Sequence, residues 1–243
     1  MDGPHRKRLF GRRQGHRLSP RRQRQLEEHL PRLGLDPAAL SAAPPASLFP
    51  VPVGEIHLEI GFGGGEHLAH QATRHPGTGF IGCEPFINGV SSLVDLIVTN
   101  RLSNVRLYDD DAADILDALP PASLDRIYLL FPDPWPKKRH NKRRFIGPEN
   151  IARLARVLKP GGCFIFASDI ADYVTWTLRH MRACPDFVWT AEGPGDWQAH
   201  PEAAPPTRYE AKTRAAGRIP AWLIYQRIGK SNERAGKGSS FNL

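Results

Sequence analysis

Residues 131–144 read Phe-Pro-Asp-Pro-Trp-Pro-Lys-Lys-Arg-His-Asn-Lys-Arg-Arg. One carboxylate, Asp133, stands between Pro132 and Pro134 and close to Trp135. Proline fixes its own φ and restricts the residue before it, so the acid sits on a stiff loop. Six Lys or Arg follow within residues 137–144. Such a run suits phosphates, which supply affinity and register rather than identity. An apolar run, 127–131, leads into the segment. The order reads as a buried strand, then an acidic and aromatic loop, then a clamp for a polyanion. Trp135 has two uses open to it: stacking on a base, or packing in the core.

A second chemical cluster is Glu59-Ile60-Gly61-Phe62-Gly63-Gly64-Gly65. Its glycines allow a tight turn and close approach of a ligand to the backbone. A dinucleotide fingerprint needs glycine or alanine where Glu66 stands. An acid there repels a pyrophosphate at a helix N-terminus. Glu59, ahead of the loop, is equally ill suited to phosphate. The pattern suits a ligand without phosphates but with a cationic amino group. S-adenosylmethionine has this character: an ammonium, a sulfonium, a ribose and an adenine. Glu84 lies 25 residues after Glu59 and can accept hydrogen bonds from both ribose hydroxyls. One of Asp109, Asp110 and Asp111 can take the adenine amine. Asp111 is favoured by its place before Ala112 and Ala113, and at least one of the three caps a helix.

Short elements must position these groups. The patterning predicts strands over 56–60, 79–83, 105–108, 124–131 and 163–168, and helices over 66–74, 86–102, 114–118, 148–158 and 173–184. Late strands are expected over 188–191 and 220–227, with a polar, loop-like 192–218 between them. Strands alternating with helices over 56–184 predict an α/β fold: a Rossmann-like, doubly wound, mostly parallel sheet. Ligands in such sheets sit beyond the carboxyl ends of the strands. Residues 59–65, Glu84, Asp111, Asp133 and Asp169 all fall at such ends or just past them. Three regions follow: a basic N-terminal arm and Pro/Ala-rich linker, 1–54; the main domain, 55–228; and a Gly/Ser/Lys tail, 229–243.

Composition narrows the partners. The chain has 243 residues, 40% of them hydrophobic, enough for a core. A net charge of +8 favours a polyanion, nucleic acid before a membrane surface. Three well-separated cysteines, with no CxxC, argue for a reducing, cytoplasmic setting and against a disulfide frame or a zinc site. Ten scattered histidines support no metal or triad, so no metal is expected. No apolar run approaches the roughly 18 residues of a membrane span. Residues 1–32 carry ten Lys/Arg against three acids. They read either as a solvated tail or as an arm that orders on RNA. An Arg-rich transit peptide is a further alternative; a secretory signal is not, for want of an apolar core.

These motifs resemble class I S-adenosylmethionine-dependent methyltransferases. The segment 132–144 narrows the match: it resembles the bacterial tRNA (guanine-N7-)-methyltransferase family, which modifies guanine 46 in the variable loop. Arg12-Arg13-Gln14-Gly15, residues 58–63, Gly82-Cys83-Glu84-Pro85, Ser168-Asp169 and Thr207-Arg208-Tyr209-Glu210 resemble further motifs of that family, covering roughly residues 10–227. The resemblance implies a methyl donor, S-adenosylmethionine, with S-adenosylhomocysteine as product. It implies cofactor contacts from Glu59, Gly61, Gly63, Glu84, Asp111 and Asp133, with Asp133 also at the catalytic position. It implies substrate contacts from Arg13, Lys137, Asp169, Thr207, Arg208, Tyr209 and Glu210. Arg143 belongs with the basic run, in which Lys137, Lys138, Arg139, Lys142, Arg143 and Arg144 are all expected on phosphates. Asp169 has three open roles: the guanine edge, the cofactor's carboxyl end, or the cap of the next helix. Arg208 and Tyr209 depart from a commoner Lys-Phe, which exchanges a point charge for a fork.

The implied partner is tRNA, with no membrane, no obligate protein partner and a monomer or homodimer as the working state. Two other readings compete. One is a class I methyltransferase acting on another RNA. The other is a non-catalytic RNA-binding module on the same scaffold, which the intact set Glu59, Gly61, Gly63, Gly65 and Glu84 disfavours.

Overall fold

The structure, a computed structural model, describes residues 11–41, 44–198, 201, 210, 213 and 215–229. Seven strands form one sheet: β1 (Glu55–Ile60), β2 (Thr78–Cys83), β3 (Val105–Tyr108), β4 (Leu124–Leu130), β5 (Leu158–Ser168), β6 (Phe187–Trp189) and β7 (Ala221–Arg227). Their order is β3-β2-β1-β4-β5-β7-β6. The first five are parallel, and β7 runs antiparallel between β5 and β6.

Helices cover both faces. α3 (Glu66–Arg74) and α4 (Ile87–Asn100) lie on one side, together with α1 (Pro20–Leu33) from the arm. α5 (Ala112–Ala118), α6 (Pro148–Val157) and α7 (Ala171–Arg182) pack into the larger core on the other. α2 (Pro37–Leu40) and α8 (Pro194–Gln198) are short. Ile127–Leu130 of β4 form a continuous apolar run, as a strand buried on both faces does, whereas β1 alternates Ile56, Leu58 and Ile60 with His57 and Glu59, which are buried as well.

The expected elements return within a few residues, with two instructive differences. β5 begins at Leu158, ahead of the expected 163, because Leu158 already pairs with Leu124 before Pro160-Gly161-Gly162. The register shifts between Leu124 and Arg126, and Gly161 takes a left-handed φ of 82°. A glycine inside a strand permits such an irregularity.

The second difference lies in the arm. Ser19 caps α1 and Leu26 and Leu33 bury against α4 and β3. Past α1, the Leu35 N–H donates to Leu107 O at 2.7 Å, covering the outer edge of β3. Residues 11–33 are therefore not a solvated tail in this structure. The apolar spacing of Leu26, Leu30 and Leu33 was the available signal, masked by ten cations.

Candidate active site

Register decides which loops meet. Ile60 pairs with Cys83 and with Leu129, Cys83 with Tyr108, and Leu130 with Ala167. The carboxyl ends of five strands are thus level. Gly61, Glu84, Asp109–Asp111, Phe131 and Asp169 leave the sheet along one edge.

The glycine loop is built for close approach. Gly61, Gly63 and Gly65 adopt φ of 70°, 57° and 80°. A Cβ placed on Gly61 meets nothing within 4 Å, so its backbone faces open space. A Cβ on Gly64 would run into the Glu66 carboxylate. That acid occupies the start of α3, where a pyrophosphate would otherwise dock.

The acids differ in what already holds them. Glu59 is 5% exposed, and its Oε2 takes the Nδ1 edge of His67, 2.7 Å away and likewise buried. Glu84 is buried too, and accepts Gly63 N–H at 2.8 Å and Phe86 N–H at 3.0 Å. Burial pushes its pKa up, the two N–H groups oppose that rise, and the charges of Asp133 and Glu59 add to it. The three carboxylates therefore share one electrostatic neighbourhood.

Asp111 caps α5, accepting Ala113 N–H at 3.0 Å. Burial raises its pKa, and that N–H bond works in the opposite direction. Asp110 pairs with Arg13 at 2.6 Å, while Asp109 is exposed. Arg13 thus joins the acidic turn. Its carbonyl accepts Ile87 N–H at 3.0 Å, and Asn88 takes Gly15 N–H and donates to His16 O. The 13–16 stretch is laid across the start of α4, next to the Glu84 loop.

Asp133 is exposed, at the tip of a strained turn. Phe131 and Trp135, on either side of Pro132-Asp133-Pro134, hold φ of 50° and 45°. Bulky residues in that region cost of order 1–3 kcal/mol each and persist only where the surroundings enforce them. Phe131 is tied by its N–H to Ala167 O at 2.8 Å and by an edge contact with Trp222 at 6.0 Å. Trp135 is half-buried, with the Arg143 guanidinium 4.9 Å over its ring and His140 at its edge. It belongs to no core cluster, and Arg143 already covers one of its faces.

The basic run coils into a 3-10 turn, Lys138–Arg143. Lys137, Lys138, Arg139 and Lys142 are exposed. Arg144 corrects the sequence expectation. It is 5% exposed, donates from Nε to Pro134 O at 2.8 Å, and pairs with Asp172. Nothing in the sequence distinguishes it from its solvated neighbours. Asp169 does not cap α7, for which Ile170 takes the N-cap position. It accepts Thr213 Oγ1 at 2.9 Å and Arg218 Nε at 2.7 Å, fastening the returning loop to the end of β5. Burial, the largest single influence, would raise its pKa, but these donors, its own backbone N–H and the Arg218 charge together hold it below the usual range. Glu210 is buried, at 1% exposure. Thr207, Arg208 and Tyr209 lie outside the described residues.

A family model described as "Putative methyltransferase" matches residues 54–221. The tRNA (guanine-N(7)-)-methyltransferase of Rhizobium meliloti (strain 1021) is 53% identical over 219 residues, 90% of this chain and 94% of that protein. The one from Azorhizobium caulinodans is 51% identical over 224 residues, covering 92% and 96%. The chain belongs to the tRNA (guanine-N(7)-)-methyltransferase family.

It is a methyltransferase, and S-adenosylmethionine is its methyl donor. The fold is shared more widely. An rRNA methylase from Streptococcus thermophilus superposes with a TM-score of 0.51 at 11% identity, over 76% of this chain and 92% of that one. TrmN from Thermus thermophilus gives 0.52 at 16% identity, over 84% and 53%.

The methyltransferase's own residues fit that donor. Gly61 offers open backbone, Glu66 excludes a pyrophosphate, and the acids supply negative charge for an ammonium. A carboxylate has about four lone-pair sites. Glu84 uses two on Gly63 and Phe86, which leaves two for hydroxyl donors. Among the described residues no group of three His, Cys, Asp or Glu could hold a metal, and no helix is long and apolar enough to cross a membrane.

Proposed function

We propose that the chain methylates N7 of guanine 46 in the tRNA variable loop. The observation that carries this reading is the placement of Asp133 on a strained turn, within electrostatic reach of Glu84 and directly before a row of exposed cations. The same reading assigns cofactor contacts to Glu59, Gly61, Gly63, Glu84, Asp111 and Asp133. Substrate contacts fall to Arg13, Lys137, Arg143, Asp169 and residues 207–210.

S-adenosylmethionine supplies an electrophilic methyl group on a sulfonium. Guanine N7 carries an in-plane lone pair and no proton, so its attack needs no general base. Positioning is then the protein's main task, and near-attack geometry supplies several kcal/mol of the barrier. Asp133 accepts the N1–H and N2–H edge of guanine, a pattern adenine cannot offer. Its charge also stabilises the positive charge that develops on the purine. Lys137, Lys138, Arg139 and Lys142 hold backbone phosphates. Arg143, its guanidinium 4.9 Å over the Trp135 ring, covers one face of that ring beside the phosphate row. The enzyme works in the cytoplasm, as a monomer or homodimer without an obligate protein partner.

The test is mass spectrometry of tRNA nucleosides after incubation with protein and S-adenosylmethionine, followed by mapping through N7-specific strand cleavage. The expected product is 7-methylguanosine at position 46. Methyl groups at another base or another RNA would replace this reading. No methyl transfer to any RNA would reduce the chain to a binding module.

A further inference from the structure

Among the cations of residues 137–144, Arg144 alone is taken out of water. Its guanidinium lies 4.8 Å from the ring centre of Tyr173 and 5.2 Å from that of Trp176, both on α7. Those rings are fixed in turn. Trp176 Nε1 donates to Ile146 O at 2.7 Å, and the Tyr173 hydroxyl accepts Ile146 N–H at 3.5 Å. One arm of the fork pairs with Asp172, also on α7. Its Nε donates to the carbonyl of Pro134, the residue directly after Asp133.

That carbonyl belongs to the turn in which Phe131 and Trp135 hold left-handed φ. Left to itself such a turn relaxes, because bulky side chains avoid that region. Phe131 is fastened at one side of the turn, through Ala167 O. We infer that Arg144 fastens the other side, as a positioning residue that holds Pro134 against α7 and so fixes where Asp133 points. Both Arg144 and Asp133 act electrostatically on Tyr173, which puts them around one side chain. The geometry calls for a planar fork: one edge for the Pro134 carbonyl, another for Asp172, and flat faces for two rings. A lysine keeps the charge and supplies none of the rest.

This inference rests on the reading of Asp133 as the group that aligns the base, and the experiment separates the two. Single-turnover methyl transfer is measured at saturating tRNA and S-adenosylmethionine for the full chain and for Arg144→Lys, Asp133→Asn and the double variant. The KM for tRNA and the salt dependence of tRNA binding are measured alongside. Arg144→Lys is expected to lower the rate by about tenfold to a hundredfold, the scale of a misplaced reacting group. The KM for tRNA and the salt slope stay unchanged. In the Asp133→Asn background the same change costs no more than about twofold, because its effect runs through Asp133.

A full rate for Arg144→Lys overturns the inference, and so does a loss that multiplies fully in the double variant. A raised KM with a shallower salt slope also overturns it, by making Arg144 a phosphate contact. A wild-type rate for Asp133→Asn sinks the underlying reading instead. Should Arg144→Lys fail to fold, Asp172→Ala serves. That side chain is 69% exposed, and its loss removes one anchor while leaving Arg144 in place. The expected effect is a fall in rate of about threefold to tenfold with KM unchanged, and an unaltered rate overturns the inference.

Discussion

Glu84 is held by the protein before any ligand arrives. Gly63 and Phe86 donate to its carboxylate from two different loops, yet burial still raises its pKa. A carboxyl with a raised native pKa binds its proton more tightly folded than unfolded. The stability it lends is complete below the ordinary glutamate range and is lost as pH rises through the raised value. A ligand that donates hydroxyls to the ionised form recovers that loss. Thermal melts between about pH 5 and pH 8 should therefore show a Tm gain from S-adenosylmethionine that grows with pH. In Glu84→Gln the gain should be smaller and flat. An unchanged slope in that variant would remove Glu84 from the ribose site. At this scale the positions of Glu59 near the end of β1, and of Glu84, Asp111 and Asp133 just past the ends of β2, β3 and β4, were legible from where the strand patterns stop. The partners were not: His67 for Glu59, Arg13 for Asp110, and Thr213 and Arg218 for Asp169 lie up to 97 residues away.

The elements most sensitive to change are those that touch across the site. α4 begins so close to the glycine loop that a Cβ at Gly89 would overlap the carbonyl of Gly63 and crowd the Glu84 side chain. A carbonyl cannot swing aside as a flexible side chain does. Gly89→Ala should cost about 1–3 kcal/mol in chemical denaturation and weaken S-adenosylmethionine binding through the displaced loop. Calorimetry at the wild-type affinity would show that the loop tolerates the shift. The sequence marks Gly61, Gly63 and Gly65 as a loop. Gly89 reads only as a glycine inside a helix, because its neighbour across the gap is 26 residues away. The same limit hid α1. Its leucines form a helical stripe, but only α4 and the β3 edge explain why that stripe is buried.

For the whole molecule, a charge of +8 favours a polyanion, and the number of phosphates its cations meet sets how strongly binding depends on salt. Each phosphate contact removed should shallow the log–log salt slope by roughly 0.7–0.9. Lys138→Ala with Arg139→Ala removes two exposed cations, so the slope should fall by about 1.4–1.8 while cofactor affinity holds. A slope equal to wild type would move the phosphate track away from residues 137–142. The parallel sheet, the level strand ends and the convergence of four acids followed from the alternation of apolar runs with helical stripes. That pattern is local, and local periodicity is written into sequence. What a charged side chain does once the chain is folded is not local. Lys137 and Arg144 stand seven residues apart in one basic run, yet one faces water and the other is enclosed by Asp172, Tyr173 and Trp176. Burial depends on what the distant chain places alongside, so only the tertiary structure could divide the run into a clamp and a brace.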